Sequence, residues 1–200
     1  MELKENYIIS LFFMVYQYLL NGNVIKTGDI ICTTDGDENL LPGQFWRLIG
    51  LLIPGDVDHV AIYIGPDGNF IESGPNGVIE FSINKNIWNA EKLTKQRGPL
   101  IDKLYGIAYP FFNKILSIEE EYFMRESIYQ YCLKQIGKSY NINFLDSDTE
   151  SAFYCSQLIY KAYLSIGINL NSSLNITRLP GTEIIVFPED IWNSSYHIKV

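Results

Sequence analysis

The sequence predicts a single α+β domain in which a small antiparallel sheet or barrel packs against helices. Three observations lead there. The strand-like runs His59–Ile64, Asn69–Ser73 and Gly77–Ser82 lie close together, and the linkers Gly65–Gly68 and Gly74–Asn76 carry hairpin-turn residues. Ser117 to Glu120 is a capping-box pattern, followed by apolar Tyr122, Met124, Ile128, Tyr131, Cys132 and Leu133 up to a stop at Gly137. A further amphipathic helix runs from Cys155 to a stop at Gly167, after the polar, turn-rich segment Asn141–Glu150.

From the N-terminus, the apolar run Tyr7–Leu20 reads as a buried helix ending at Asn21-Gly22, so residues 1–22 add a helix to one domain spanning 1–200. Glu2 and Glu5 precede the run where an export signal has basic residues, and no small-residue cleavage site follows. It is also shorter than the ~20 residues a membrane span needs. A cytoplasmic location is favoured on that ground, and whether an export signal was removed stays open. Thr27–Thr34 is a turn and a β-branched strand, Asp35–Asn39 a loop, and Pro42–Ile53 a short helix or lid ended by Pro54-Gly55. Asn84–Asn89 reads as one helical turn and Leu93–Arg97 as a strand. Gly106 and Pro110 make Tyr105–Leu116 a packed loop. Leu179–Gly181, Ile184–Phe187 and Pro188–Ser194 read as turn, strand and short helix.

Composition narrows the function. With 47% hydrophobic residues among 200, the chain can bury a sizeable core. A net charge of -8, a pI near 4.7 and no Lys/Arg run argue against nucleic acid and against adhesion to an anionic membrane. The acidic balance suits a neutral or amine-bearing substrate. Three cysteines, Cys32, Cys132 and Cys155, form neither a disulfide framework nor a zinc ribbon. No Cys or His pair has metal-ligand spacing, no glycine run has phosphate-binding spacing, and no metal or cofactor is expected.

Cys155 sits where a helix begins, against unpaired backbone N–H groups and the positive end of the helix dipole, which favours a thiolate. It is the candidate nucleophile. Cys32, in a β-branched run, and Cys132, inside a helix, read as core residues. A thiolate needs an imidazole partner, and the chain has two histidines. His197 is close to the chain end and reads as a surface or packing residue. His59 opens a strand after the Pro54–Asp58 loop. If Ile64 pairs with Asn69, Glu72 lies diagonally across from His59 on the same face, where it can orient the imidazole. Val60, Ile62, Ile64 and Ile71 form the opposite, apolar face, leaving His59, Tyr63 and Glu72 on the more polar one. Asp58 and Glu80 are weaker candidates for the role of Glu72. The Cys155 N–H is a natural oxyanion donor, and Tyr154 and Tyr63 are candidates for a second. The geometric requirement is that the start of the Cys155 helix packs against the face bearing His59 and Glu72.

The ordered set Gly28–Ile31, Asp58–Gly65, Phe70–Ser73, Tyr154–Ile159 and Pro188–Ser194 resembles the circularly permuted papain-like amidases of the NlpC superfamily, the YiiX-like branch, related in fold to lecithin:retinol acyltransferase. In papain-like peptidases the cysteine helix precedes the histidine strand. Here the histidine strand comes first. The resemblance spans roughly Thr27 to Ser195 and implies a cysteine peptidase or amidase with Cys155 as nucleophile, His59 as base and Glu72 as orienting residue, acting on a peptide or small amide such as a cell-wall-type peptide. Several members are exported or lipid-anchored, so location is not carried over. Two alternatives stand beside it. One is a lipid acyl hydrolase or acyltransferase, motivated by apolar Phe45–Trp46, Leu48–Ile53 and Tyr105–Leu116. The other is an inactive binding module. A homo-oligomer is left open.

Overall fold

The computed structural model describes residues 15–35, 55–112, 114–171 and 185–200. Strands β1 (Gln17–Leu20) and β2 (Asn23–Lys26) form a hairpin, with Leu20 paired to Asn23. Residues 17–20 are therefore strand, where a helix was expected. The reason is local. Asn21 and Gly22 both take positive φ (47° and 85°), the geometry of a tight hairpin turn, and Leu20 and Ile25 are buried while Leu19 and Val24 are exposed. The rest of the expected N-terminal helix lies outside the described residues, as does the helix or lid expected over Pro42–Ile53.

A second, six-stranded sheet forms the centre. It contains β3 (Ile30–Asp35), β4 (His59–Tyr63), β5 (Asn69–Gly74), β6 (Gly77–Ser82), β7 (Asp102–Tyr109) and β10 (Ile198–Lys199), in the order β10-β7-β3-β4-β5-β6. All pairs are antiparallel and the sheet is open, not closed into a barrel. Ile62 pairs with Ile71 and Tyr63 with Phe70, which is the register that pairs Ile64 with Asn69. The segment 105–109 lies within β7, where a packed loop was expected. Gly106 is accommodated because the Trp192 ring and the Val200 carbonyl occupy the space a Cβ would need. Part of the stretch offered for an acyl channel is therefore sheet.

Helix α1 (Ala90–Arg97) occupies residues expected to include a strand. Asn89 accepts from the Lys92 N–H at its start, and Gly98 ends it with φ 80°. Asn84–Asn89 is a turn rather than a helical one, with Lys85 and Asn86 at positive φ. Helix α2 (Ile118–Leu133) has the capping box expected at Ser117 and Glu120. The short parallel pair β8 (Ser139–Tyr140) and β9 (Ala152–Phe153) leads into α3 (Cys155–Leu164). Helix α4 (Pro188–Trp192) follows residues 185–187, which are not strand. Among the described residues, no helix is long and apolar enough to cross a membrane.

Both faces of the sheet are covered. Val60, Ile62, Ile64 and Ile71 pack with Leu158, Ile159 and Ala162 of α3 and Ile128 of α2. On the other face Ala61, Tyr63, Phe70, Phe81 and Ile107 pack with Leu20, Ile25, Trp88 and Leu93. The face expected to be polar is thus a second apolar core, and β4 is buried along its whole length.

Candidate active site

His59 is the first residue of β4, and the loop before it is tied down from two directions. The Asp58 N–H donates to the Thr33 carbonyl at 3.0 Å, and the Asp56 and Val57 N–H groups both donate to Glu189 Oε2 of α4 at 3.0 Å. Gly55 permits that approach: a Cβ there would fall 2.4 Å from the Glu189 carboxylate. The Pro188–Ser194 segment thereby acts as a clamp on the His59 loop.

Cys155 is the first residue of α3 and is 5% exposed. Its approach is held by the sheet, since Ser73 Oγ donates to the Phe153 carbonyl at 2.5 Å. Gln157 organises the helix start. Its Oε1 accepts from the Tyr154 N–H at 3.2 Å and from Asn141 Nδ2 at 3.2 Å, while its Nε2 donates to the Ser147 and Thr149 carbonyls at 3.0 and 2.9 Å. This fastens the 141–150 segment to the helix beneath Cys155. Ser156 Oγ donates to the Val186 carbonyl at 2.7 Å, fixing the helix on its other side.

The thiol, the imidazole and the carboxylate come together. His59 Nε2 donates to Glu72 Oε2 at 2.8 Å, and Cys155 lies near enough for its charge and polarity to act on the imidazole. The route differs from the expected one. The body of α3 packs on the Val60, Ile62 and Ile71 face, opposite the one that carries Glu72. His59 faces both because it stands at the end of β4. Burial alone would push its imidazolium down. The charge and polarity of Cys155, followed by the hydrogen bond and charge of Glu72, override that and raise it to about 10. Burial would likewise raise the Glu72 carboxyl, but the Arg97 guanidinium and then His59 hold it near 2. Both shifts favour the charged forms, a cationic imidazole and an ionised carboxylate.

Behind Glu72 lies a group that the sequence reading did not find. Arg97, fully buried at the end of α1, donates from Nε to both Glu72 oxygens at 2.9 and 3.0 Å and from Nη2 to Oε2 at 2.8 Å. The same guanidinium meets Asp102 of β7 through Nη1 at 2.8 Å and Nη2 at 2.9 Å. Its plane lies over Phe81 and Trp88, 5.0 and 4.8 Å from the ring centroids. The missed signal was the helix frame itself, Asn89 at one end and Gly98 at the other, which makes Arg97 a last-turn residue.

The remaining sequence candidates separate. Tyr63 is roughly 13 Å along the strand from His59. It packs instead on Tyr18 and Phe70, at ring distances of 5.8 and 5.2 Å. Tyr154 caps α3 next to Cys155, but its N–H is taken by Gln157 and its hydroxyl accepts from the Val186 N–H at 3.3 Å. Tyr140, not singled out from sequence, lies within electrostatic reach of Cys155. Its phenol is raised by burial and then by the charge of Cys155. Glu80 is exposed, and Asp58 accepts from Thr34 Oγ1 at 3.4 Å. His197 is a buried packing residue bonded to the Trp192 carbonyl, its imidazolium pushed down to about 4 by burial. Cys32 and Cys132 are core residues, and burial raises both thiols, Cys132 to about 12.

A histidine at the start of an interior strand that precedes a cysteine helix, on an open antiparallel sheet, is the papain-like arrangement of elements in permuted order. A scan against known families matches residues 25–180 to the permuted papain-like amidase enzymes YaeF/YiiX, the C92 family, and the chain belongs to that family. Its fold is similar to that of the metalloprotein YiiX from Escherichia coli O157:H7, with a TM-score of 0.52 and 15% identity over 87% of this chain and 95% of that one. A search of curated proteins finds no match.

Proposed function

We propose that this chain is a cysteine amide hydrolase that works through a thioester on Cys155. The observation that carries the reading is the buried His59–Glu72 hydrogen bond with the buried Cys155 helix start within electrostatic reach of the imidazole. The Cys155 thiolate adds to the amide carbonyl, forming the S–C bond, while the Cys155 N–H at the helix start donates to the developing oxyanion. The His59 imidazolium gives its proton to the departing nitrogen as the C–N bond breaks. Water then adds to the thioester, His59 takes its proton, and the S–C bond breaks to free the acid. Glu72 keeps Nε2 protonated, which leaves the other ring nitrogen to exchange protons at Cys155.

The net charge of -8 supports a peptide or small amide substrate that bears a free amine. The YiiX neighbour is titled a metalloprotein, but the residues here do not fit a metal. Glu72 is occupied by Arg97 and His59, and among the described residues no group of three or more His, Cys, Asp or Glu side chains is placed to hold one. The test is hydrolysis of a responsive amide by Cys155→Ala and His59→Ala. Each is expected to lose activity on the order of 10³-fold or more. Unchanged turnover in either variant rules the mechanism out.

A further inference from the structure

We propose that Arg97 and Asp102 are positioning residues for this site, a charge-balanced clamp that fixes how Glu72 meets His59 and tunes the reactivity of the Cys155 thiolate. The inference rests on the reading of Cys155 and His59 as the catalytic pair.

The geometry leaves Glu72 no freedom to turn. Oε1 is held by Arg97 Nε, and Oε2 is shared between Arg97 and His59. Asp102 is fixed in its turn, accepting from Thr33 Oγ1 at 2.7 Å and from Trp88 Nε1 at 3.2 Å. Thr33 Oγ1 also lies 3.4 Å from the His59 carbonyl oxygen, so the network closes on the backbone of the residue it serves. Arg97, Glu72 and Asp102 are all buried, within a core that already contains Phe70, Phe81 and Trp88. Buried ion pairs of this kind are often matched or bettered in stability by well-packed apolar residues, so stability alone does not account for the cluster.

The charges explain it better. With a thiolate and an imidazolium, Cys155, Glu72 and Asp102 supply three negative charges against two positive ones on His59 and Arg97. Loss of Arg97 leaves the negative excess one larger and disfavours the thiolate. Loss of the Asp102 charge cancels the excess and favours it. Among the described residues, the other titratable groups near Cys155 include Tyr140 from β8, the adjacent Tyr154 and Cys32 from β3, and Cys32 itself faces Lys199 and Glu189. A merely structural clamp would move the profile the same way, or not at all, in the two variants.

The experiment is the rate of Cys155 alkylation by iodoacetamide against pH in the full chain, read by peptide mass spectrometry so that Cys32 and Cys132 are not counted. Wild type, Arg97→Gln and Asp102→Asn are compared, with thermal unfolding as the folding control. Arg97→Gln is expected to move the midpoint to higher pH by about one unit, a roughly tenfold slower reaction on the acid limb. Asp102→Asn, isosteric and the safer fold, is expected to move it to lower pH by about half a unit. Shifts in the same direction, or none, overturn the inference. If Arg97→Gln does not fold, the Asp102→Asn shift decides alone. A wild-type Cys155 no more reactive than an ordinary thiol overturns the catalytic reading and this inference with it. A reactive wild type with unmoved variants overturns the inference only.

Discussion

Among the described residues two arginines are buried, each between two carboxylates and over aromatic rings, and one of them leads towards the proposed nucleophile. Arg97 joins Glu72 and Asp102 against Phe81 and Trp88. Arg125 joins Asp29 at 3.0 Å and Glu121 at 2.8 Å, 4.6 Å from the Phe111 centroid. The Arg97 chain runs on from Glu72 to His59 and towards Cys155. The Arg125 chain ends on backbone and on Lys26: Arg125 donates to the Thr27 carbonyl at 2.5 Å, Asp29 accepts from the Lys26 N–H at 2.8 Å, and Glu121 pairs with Lys26 Nζ at 3.3 Å. Their carboxylates respond oppositely. Glu72 is held near 2, whereas burial of Asp29 outweighs Arg125 and leaves its carboxyl raised. The same three-residue device thus pins a turn in one place and serves an imidazole in the other, and what lies at its end distinguishes them.

That contrast can be broken most forcefully at Arg125. Arg125→Met leaves Asp29 buried without its cation and is expected to cost about 3–5 kcal/mol in urea unfolding. Turnover per folded molecule should stay at the wild-type level. A large loss of turnover in well-folded Arg125→Met would dissolve the distinction. Glu72→Gln should do the reverse. Asp102 still neutralises Arg97, so the fold survives, while amide hydrolysis drops by about a hundredfold because His59 loses its anionic partner.

The pH dependence of stability separates the clusters further. His59 is raised from 6.5 to about 10, so its contribution is complete below pH 6.5 and is lost as pH rises through about 10. Glu72 is lowered from 4.5 to about 2, so its contribution is present above pH 4.5 and disappears as pH falls through about 2. Asp29 runs the other way. Its raised carboxyl adds stability that is fully present below 3.8 and is lost as pH climbs through its folded value. Unfolding of Glu72→Gln should therefore depend less on acid than wild type, and that of Asp29→Asn more steeply. Identical slopes for the two variants would contradict the assignment. The smallest effect expected is Gly22→Ala at the β1–β2 turn, about 1 kcal/mol from positive φ alone, since nothing lies within 4 Å of the added methyl. No loss there would mean that the turn relaxes at no cost.

How far the sequence could be read follows from which interactions are local. The Glu72 and His59 pairing was legible because hairpin chemistry at Gly65–Gly68 sets the pairing of Ile64 with Asn69, and register then decides which side chains share a face. The start of α3 and the capping box of α2 were legible for the same reason. Gln17–Leu20 was misread because a short apolar run fits either period, although Asn21-Gly22 was there to decide it. The strand at 102–109 was hidden by Pro110 just past its end and by Gly106, whose accommodation depends on Trp192 and the Val200 backbone far along the chain. Arg97 was out of reach as a site residue. A basic residue at a helix end ordinarily points to water, and only the closure of β5, β7 and α1 around it makes it a buried partner of Glu72. The expected polar face failed likewise, because alternation within β4 says nothing of the second core that covers it.

The central claim, a thioester on Cys155, is most directly tested by trapping the acyl-enzyme. Peptide anilides and small aminoacyl amides are mixed with the full chain, the reaction is quenched in acid, and the adduct is mapped by mass spectrometry. The account predicts one acyl group on Cys155, absent in Cys155→Ala and accumulating in His59→Ala only slowly. Turnover with the acyl group on another residue, or with no covalent adduct and full activity in Cys155→Ala, would contradict it.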